Sequence, residues 1–130
     1  MTKVIIMVFV FLGLSWTAFS QPKCAGFRVG KFQNIEEGIV KTKIVRNDTI
    51  QLEYYGDKEI KLRINWIDDC TYRLTFIEGN DAWWESRSRE RPTPDLIVRI
   101  TDTSEDSYSQ EAKFEMDKEF KYKSNIQKVE

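Results

Sequence analysis

From Phe27 onward, apolar and polar residues alternate in short runs with a period of two, the mark of strands buried on one face. In the clearest stretch, Ile60, Leu62, Ile64 and Trp66 share one side, and Lys61, Arg63 and Asn65 share the other. After Ile67-Asp68-Asp69 the pattern resumes, with Cys70, Tyr72, Leu74 and Phe76 inward and Thr71, Arg73 and Thr75 outward. The short polar connection predicts an antiparallel hairpin. Upstream, the alternation predicts a first strand over 27–32, slipping at Gly30 where a bulge or a close backbone approach is expected. A second strand over 39–46 leads to Asn47-Asp48, and a third over 49–55 ends at Gly56-Asp57, both turn pairs. In the third strand the alternation puts Ile50, Leu52 and Tyr54 inward and Gln51 and Glu53 outward. Downstream strands are expected over 96–101, with Leu96, Val98 and Ile100 inward; over 107–114, with Tyr108, Ala112 and Phe114 inward; and over 120–124, with Phe120 and Tyr122 inward. Residues 125–130 either extend that last strand or fray.

These eight strands have short turns and no convincing helical period. Their apolar faces must be buried against one another, so the expected fold is an all-β antiparallel meander forming a small barrel or sandwich. One segment breaks the rhythm. Residues 78–95 form a loop longer than an ordinary hairpin turn, holding Trp83, Trp84, Arg87, Arg89 and Arg91, then Pro92 and Pro94.

The first residues have a different pattern. Met-Thr-Lys precedes an unbroken apolar run from Val4 to Leu14, and Ala18 and Ser20 place small residues before a cut after residue 20. This reads as a cleaved export signal over 1–20, followed by a single β domain over 21–130. The competing reading, a membrane anchor, needs about 20 apolar residues, more than the continuous run supplies. Cys24 follows Gln21-Pro22-Lys23, which lacks the small and aliphatic residues a lipid-modified cysteine requires. The expectation is an exported, soluble protein, periplasmic or extracellular, with no stable membrane anchor.

That compartment changes the reading of the two cysteines, Cys24 and Cys70. In an oxidising environment an even count suggests a disulfide, and closing this loop would stabilise by roughly 4 kcal/mol in the chain-entropy model. Two buried free thiols are the alternative. The formal net charge of −1 gives no broad attraction to nucleic acid or anionic lipid. There is no histidine, which removes Ser-His-Asp and Cys-His machinery and the usual base near neutral pH. No metal site or cofactor is implied. The expectation is a non-enzymatic protein. An enzyme working through Asp68, Asp69 or Lys31 is the remote alternative.

For the 78–95 loop two readings stand. Indole faces and guanidinium groups suit anionic, amphiphilic or sugar-like partners and recur at interaction hot spots. Alternatively, one tryptophan plugs the barrel end while the arginines pair with Glu85 and Glu90. Asp68-Asp69 is expected to cap a turn. Asn47-Asp48-Thr49 matches the glycosylation acceptor pattern formally. Tyr54, Trp66, Tyr72, Phe76, Tyr108 and Phe114 are expected to face inward. Eight short strands leave little interior beyond their own side chains, so a filled core is expected, with an apolar ligand cavity as the alternative.

The run Cys24-Ala-Gly-Phe27-Arg28-Val-Gly30-Lys31-Phe32, then Arg46 and Gln51-Leu52-Glu53, then Trp66-Ile-Asp68-Asp69-Cys70-Thr-Tyr72-Arg-Leu74, resembles a family of small exported bacterial proteins of unknown function. Such proteins sometimes carry a topoisomerase-type name. The chain has no nucleotide-binding motif, and an export signal would remove it from DNA. Gly30-Lys31-Phe32 on a first strand is also similar to the Gly-x-Trp of lipocalins, with Phe32 in the tryptophan's place. The dense Trp and Arg content of the 78–95 loop leads to the expectation of a non-enzymatic binding module whose partner is a protein, a glycan or a small amphiphilic ligand of the cell envelope. A lipocalin-like carrier of an apolar molecule is the alternative.

Overall fold

The computed structural model describes residues 22–130; the expected export signal lies outside them. A 3-10 turn, Ala25–Phe27, leads into eight strands: β1 Gly30–Glu36, β2 Ile39–Arg46, β3 Ile50–Tyr55, β4 Lys58–Asp68, β5 Thr71–Gly79, β6 Leu96–Thr103, β7 Ser107–Phe114 and β8 Tyr122–Lys128. Each strand pairs antiparallel with its neighbour, and β1 pairs with β8, closing a barrel. Closure removes the exposed edges that an eight-stranded sandwich would keep. Among the described residues, no helix is long and apolar enough to cross a membrane.

The hairpin of β4 and β5 forms as the alternation predicts: Leu62 faces Phe76, Ile64 faces Leu74 and Trp66 faces Tyr72. Asp68 Oδ1 accepts a hydrogen bond from Cys70 N at 2.9 Å, so this acidic pair caps its turn. Asn47 Oδ1 likewise accepts from Thr49 N and Ile50 N, at 3.0 and 2.8 Å. Cys24 and Cys70 are joined in a disulfide with their Cα atoms 5.4 Å apart.

Expectations for three strands are corrected. The first strand begins at Gly30 rather than Phe27, because residues 25–27 coil into the 3-10 turn and lay Phe27 across the barrel end. Gly30 is the close approach anticipated there: at φ 141°, a Cβ would run into the Glu130 carbonyl oxygen. The face of β3 is inverted. Gln51 pairs with Arg46 and Leu62, and Glu53 pairs with Ile60. Directly opposed residues share a face, so Gln51, Glu53 and Tyr55 point into the barrel, while Ile50, Leu52 and Tyr54 lie outside. The last strand starts at Tyr122 and its buried anchor is Ile126, not Phe120. Phe120 precedes the strand, under the guanidinium of Arg99 at 4.0 Å, and Tyr122 at the strand's start is 51% exposed.

Because turns alternate between ends in a meander, the barrel has two distinct ends. The turns after β2, β4 and β6 share one end with the 3-10 turn and the disulfide. The turns after β1, β3, β5 and β7 share the other, with the long loop.

Candidate functional site

At the closed end the interior is filled around one charged residue. Arg46 is 2% exposed, with no carboxylate within ion-pair distance among the described residues. Its guanidinium donates to Gln51 Oε1 at 2.8 Å, to the Phe27 carbonyl at 2.7 Å, and to the hydroxyls of Tyr72 at 3.2 Å and Tyr108 at 3.0 Å. The rings of Phe32 and Tyr72 lie 4.5 and 4.9 Å from its central carbon. Burial pushes the Tyr72 phenol well above its usual value, so that ring stays neutral. The Tyr72 hydroxyl in turn donates a hydrogen bond to Gln110 Oε1 at 3.1 Å. Four acceptors for one buried cation are what such a charge needs to be tolerated.

Gln51 carries the chain one step up the barrel, donating from Nε2 to Glu53 Oε1 at 3.1 Å. Glu53 is half-buried by area, but it lines a cavity, so the surface it shows faces the lumen. Burial raises its carboxyl above the usual value near 4.5, against the pull of Gln51 and Arg46.

Above this layer the barrel is hollow. A cavity of about 440 Å³ is walled by Ile60, Leu62, Leu74, Phe76, Leu96 and Phe114, with Glu53 the polar side chain that the strands contribute and Arg87, Arg91 and Thr93 those from the loop. The interior is therefore not completely filled, and the expected aromatic set divides. Tyr72 and Tyr108 are core, Phe76 and Phe114 line the cavity, and Trp66 packs against Tyr72 at the closed end with Arg28 4.5 Å from its ring. Tyr54 is outside.

The cavity opens toward the long loop, which begins at Asn80 rather than Glu78 because β5 runs on through Gly79. The loop contains a short helix, α1 Asp81–Glu85, that periodicity could not reveal in five residues. Its signal was Asn80, whose Oδ1 caps Trp83 N at 3.0 Å while its Nδ2 donates to the Asp57 carbonyl at 2.8 Å. The cap fixes where Trp83 falls. Its indole lies against Gly79, where a Cβ would clash at 2.6 Å, and stacks on Phe76 with ring centres 4.7 Å apart. The Arg87 guanidinium also lies over the indole, 4.5 Å from its centre, and ties the loop by donating to the carbonyls of Arg91 and Pro92.

The five loop residues thus divide. Trp83, Arg87 and Arg91 line the cavity mouth; Trp84 and Arg89 stack on each other outside it, 4.8 Å apart. The pairing with Glu85 and Glu90 does not form: among the described residues, no carboxylate lies within ion-pair distance of Arg87, Arg89 or Arg91. Arg87 Nε is buried and without a hydrogen-bond partner. Asp68, Asp69 and Lys31 are not brought together at this cavity. Asp69 sits 3.8 Å from Arg28, and Lys31 pairs with Glu130 at 2.9 Å. No protein-family model, no curated protein and no solved structure matches the chain.

Proposed function

We propose that this protein is a non-enzymatic carrier of one small anionic amphiphile in the cell envelope or outside the cell, with the apolar body in the barrel and the acidic head between Arg87 and Arg91. The observation that carries the reading is two arginines, without carboxylate partners among the described residues, at the mouth of an apolar cavity. The cavity volume falls in the range of about 300–1,000 Å³ typical of small-ligand sites. Of the partner classes that suit a Trp/Arg loop, an amphiphile uses both the loop and the lumen; a protein or a glycan would use the loop alone. Glu53 favours one orientation, since an acid inserted head first would meet a buried carboxylate.

Dodecanoate titrated against the protein is expected to quench or shift tryptophan fluorescence saturably, because Trp83 lines the mouth. Arg87→Ala and Arg91→Ala should each weaken binding about tenfold, the worth of one charge-assisted hydrogen bond. Protein purified from its native host should carry a bound small molecule by native mass spectrometry. A clean apo mass together with no dodecanoate binding would overturn the reading.

A further inference from the structure

We infer that Glu53 reads a hydrogen-bond donor on the ligand's apolar body, so that the preferred ligands are hydroxylated amphiphilic acids rather than plain-chain ones. The inference rests on the carrier reading above and adds a second recognition point to it. Glu53 stands cross-strand from Ile60, on the strand-built wall with Leu62, Leu74, Phe76, Leu96 and Phe114, while the other polar lining residues, Arg87, Arg91 and Thr93, belong to the loop. Among the described residues its carboxylate has one hydrogen-bond partner, Gln51 on Oε1, which leaves Oε2 unpaired on a residue that lines the cavity. Gln51 already satisfies Arg46 Nε, so the closed-end network does not draw Glu53 downward.

A saturated chain filling this cavity would strip water from the Glu53 carboxyl and give nothing back, which is the unfavourable side of the hydrogen-bond balance. A hydroxyl placed on the chain replaces that water. An ammonium would also donate, but it would enter past Arg87 and Arg91, whose charges oppose it. A neutral donor on a body whose head is anionic satisfies both the mouth and the wall. Sites built to hydrogen-bond a ligand hydroxyl discriminate strongly against the analogue lacking it.

The test is calorimetric titration of the intact protein with dodecanoate, with its singly hydroxylated isomers, and with the methyl ethers of those isomers. At least one isomer should bind about tenfold more tightly than dodecanoate, and methylating its hydroxyl should erase the gain, since the ether keeps the acceptor and loses the donor. Saturable binding of all three with equal affinity would overturn this inference and leave the carrier reading standing. Failure of every acid to bind would overturn both. In Glu53→Leu the order should invert, with dodecanoate the tightest; an unchanged order would also overturn it. Should that variant fail to fold for want of a countercharge near Arg46, the ligand series on the unaltered protein still decides.

Discussion

The two ends of the barrel are built from the same eight strands and do opposite things with their polar residues. At the closed end, Arg46 spends its donors on four protein acceptors, and the disulfide, the Phe27 plug and the Lys128 Nζ bond to the Gly26 carbonyl at 2.7 Å hold the floor shut. At the open end, Arg87 and Arg91 line the cavity mouth, and among the described residues no acid pairs with either. A polar group that finds its partners inside the protein contributes to stability and specifies the fold. One left without a countercharge beside an apolar hollow is available to an acidic ligand. The difference suggests that stability and recognition are separable here, along one axis.

That separation can be broken most directly at Arg46. Arg46→Ala leaves the Phe27 carbonyl, two tyrosine hydroxyls and Gln51 short of partners, and should cost roughly 3–5 kcal/mol in urea unfolding. A loss below about 1 kcal/mol would remove the closed end as the anchor. Reducing the Cys24–Cys70 bridge should cost about 2–4 kcal/mol, read as a shift of the denaturation midpoint with and without reductant. Gly30→Ala, forced into a left-handed backbone against the Glu130 carbonyl, should lose about 1–3 kcal/mol by thermal melting. Arg91→Ala sharpens the contrast from the other side: stability should change by less than about 0.5 kcal/mol while dodecanoate affinity falls about tenfold.

The smallest effect expected is in pH. The Glu53 carboxyl is raised in the folded state, so between its unfolded value, near 4.5, and its folded value the native state holds more proton than the unfolded one. Stability from this group is then fully present below the unfolded value and is lost as pH rises through the folded one. Wild type should gain stability relative to Glu53→Gln as pH falls through that window. Parallel curves for the two proteins would show that Glu53 is not perturbed by the fold.

Much of the barrel was legible because alternation is the direct imprint of a wall with one wet face. β4, β5, β6 and β7 fall where Ile60–Phe76 and Leu96–Phe114 place them. β3 was misread for a physical reason. Ile50, Leu52 and Tyr54 look like an inward face only while the lumen is assumed apolar, and a buried Arg46 in the neighbouring strand reverses that by requiring Gln51 inside. The residues on which the sequence comparison rested do include Arg46, Gln51 and Glu53, but nothing local in sequence says that these three meet. The loop was recognisable from its composition. Its division into mouth and exterior was not, because that depends on the Asn80 cap and on the bare backbone of Gly79 beneath Trp83.

The seam between β1 and β8 has a consequence for how the molecule comes into being. On the edge away from β2, Phe32, Gln33 and Asn34 pair with Lys128, Gln127 and Ile126, nearly the whole described chain away. While the chain is being synthesised, hairpins such as β4–β5 can form as they emerge, but the ring stays open until β8 is free. Long-range pairing of this kind is slow, and its unclosed precursors expose apolar strands. Closure is therefore a late, single event, and a growing chain of this protein carries two open sheet edges until its final strand arrives.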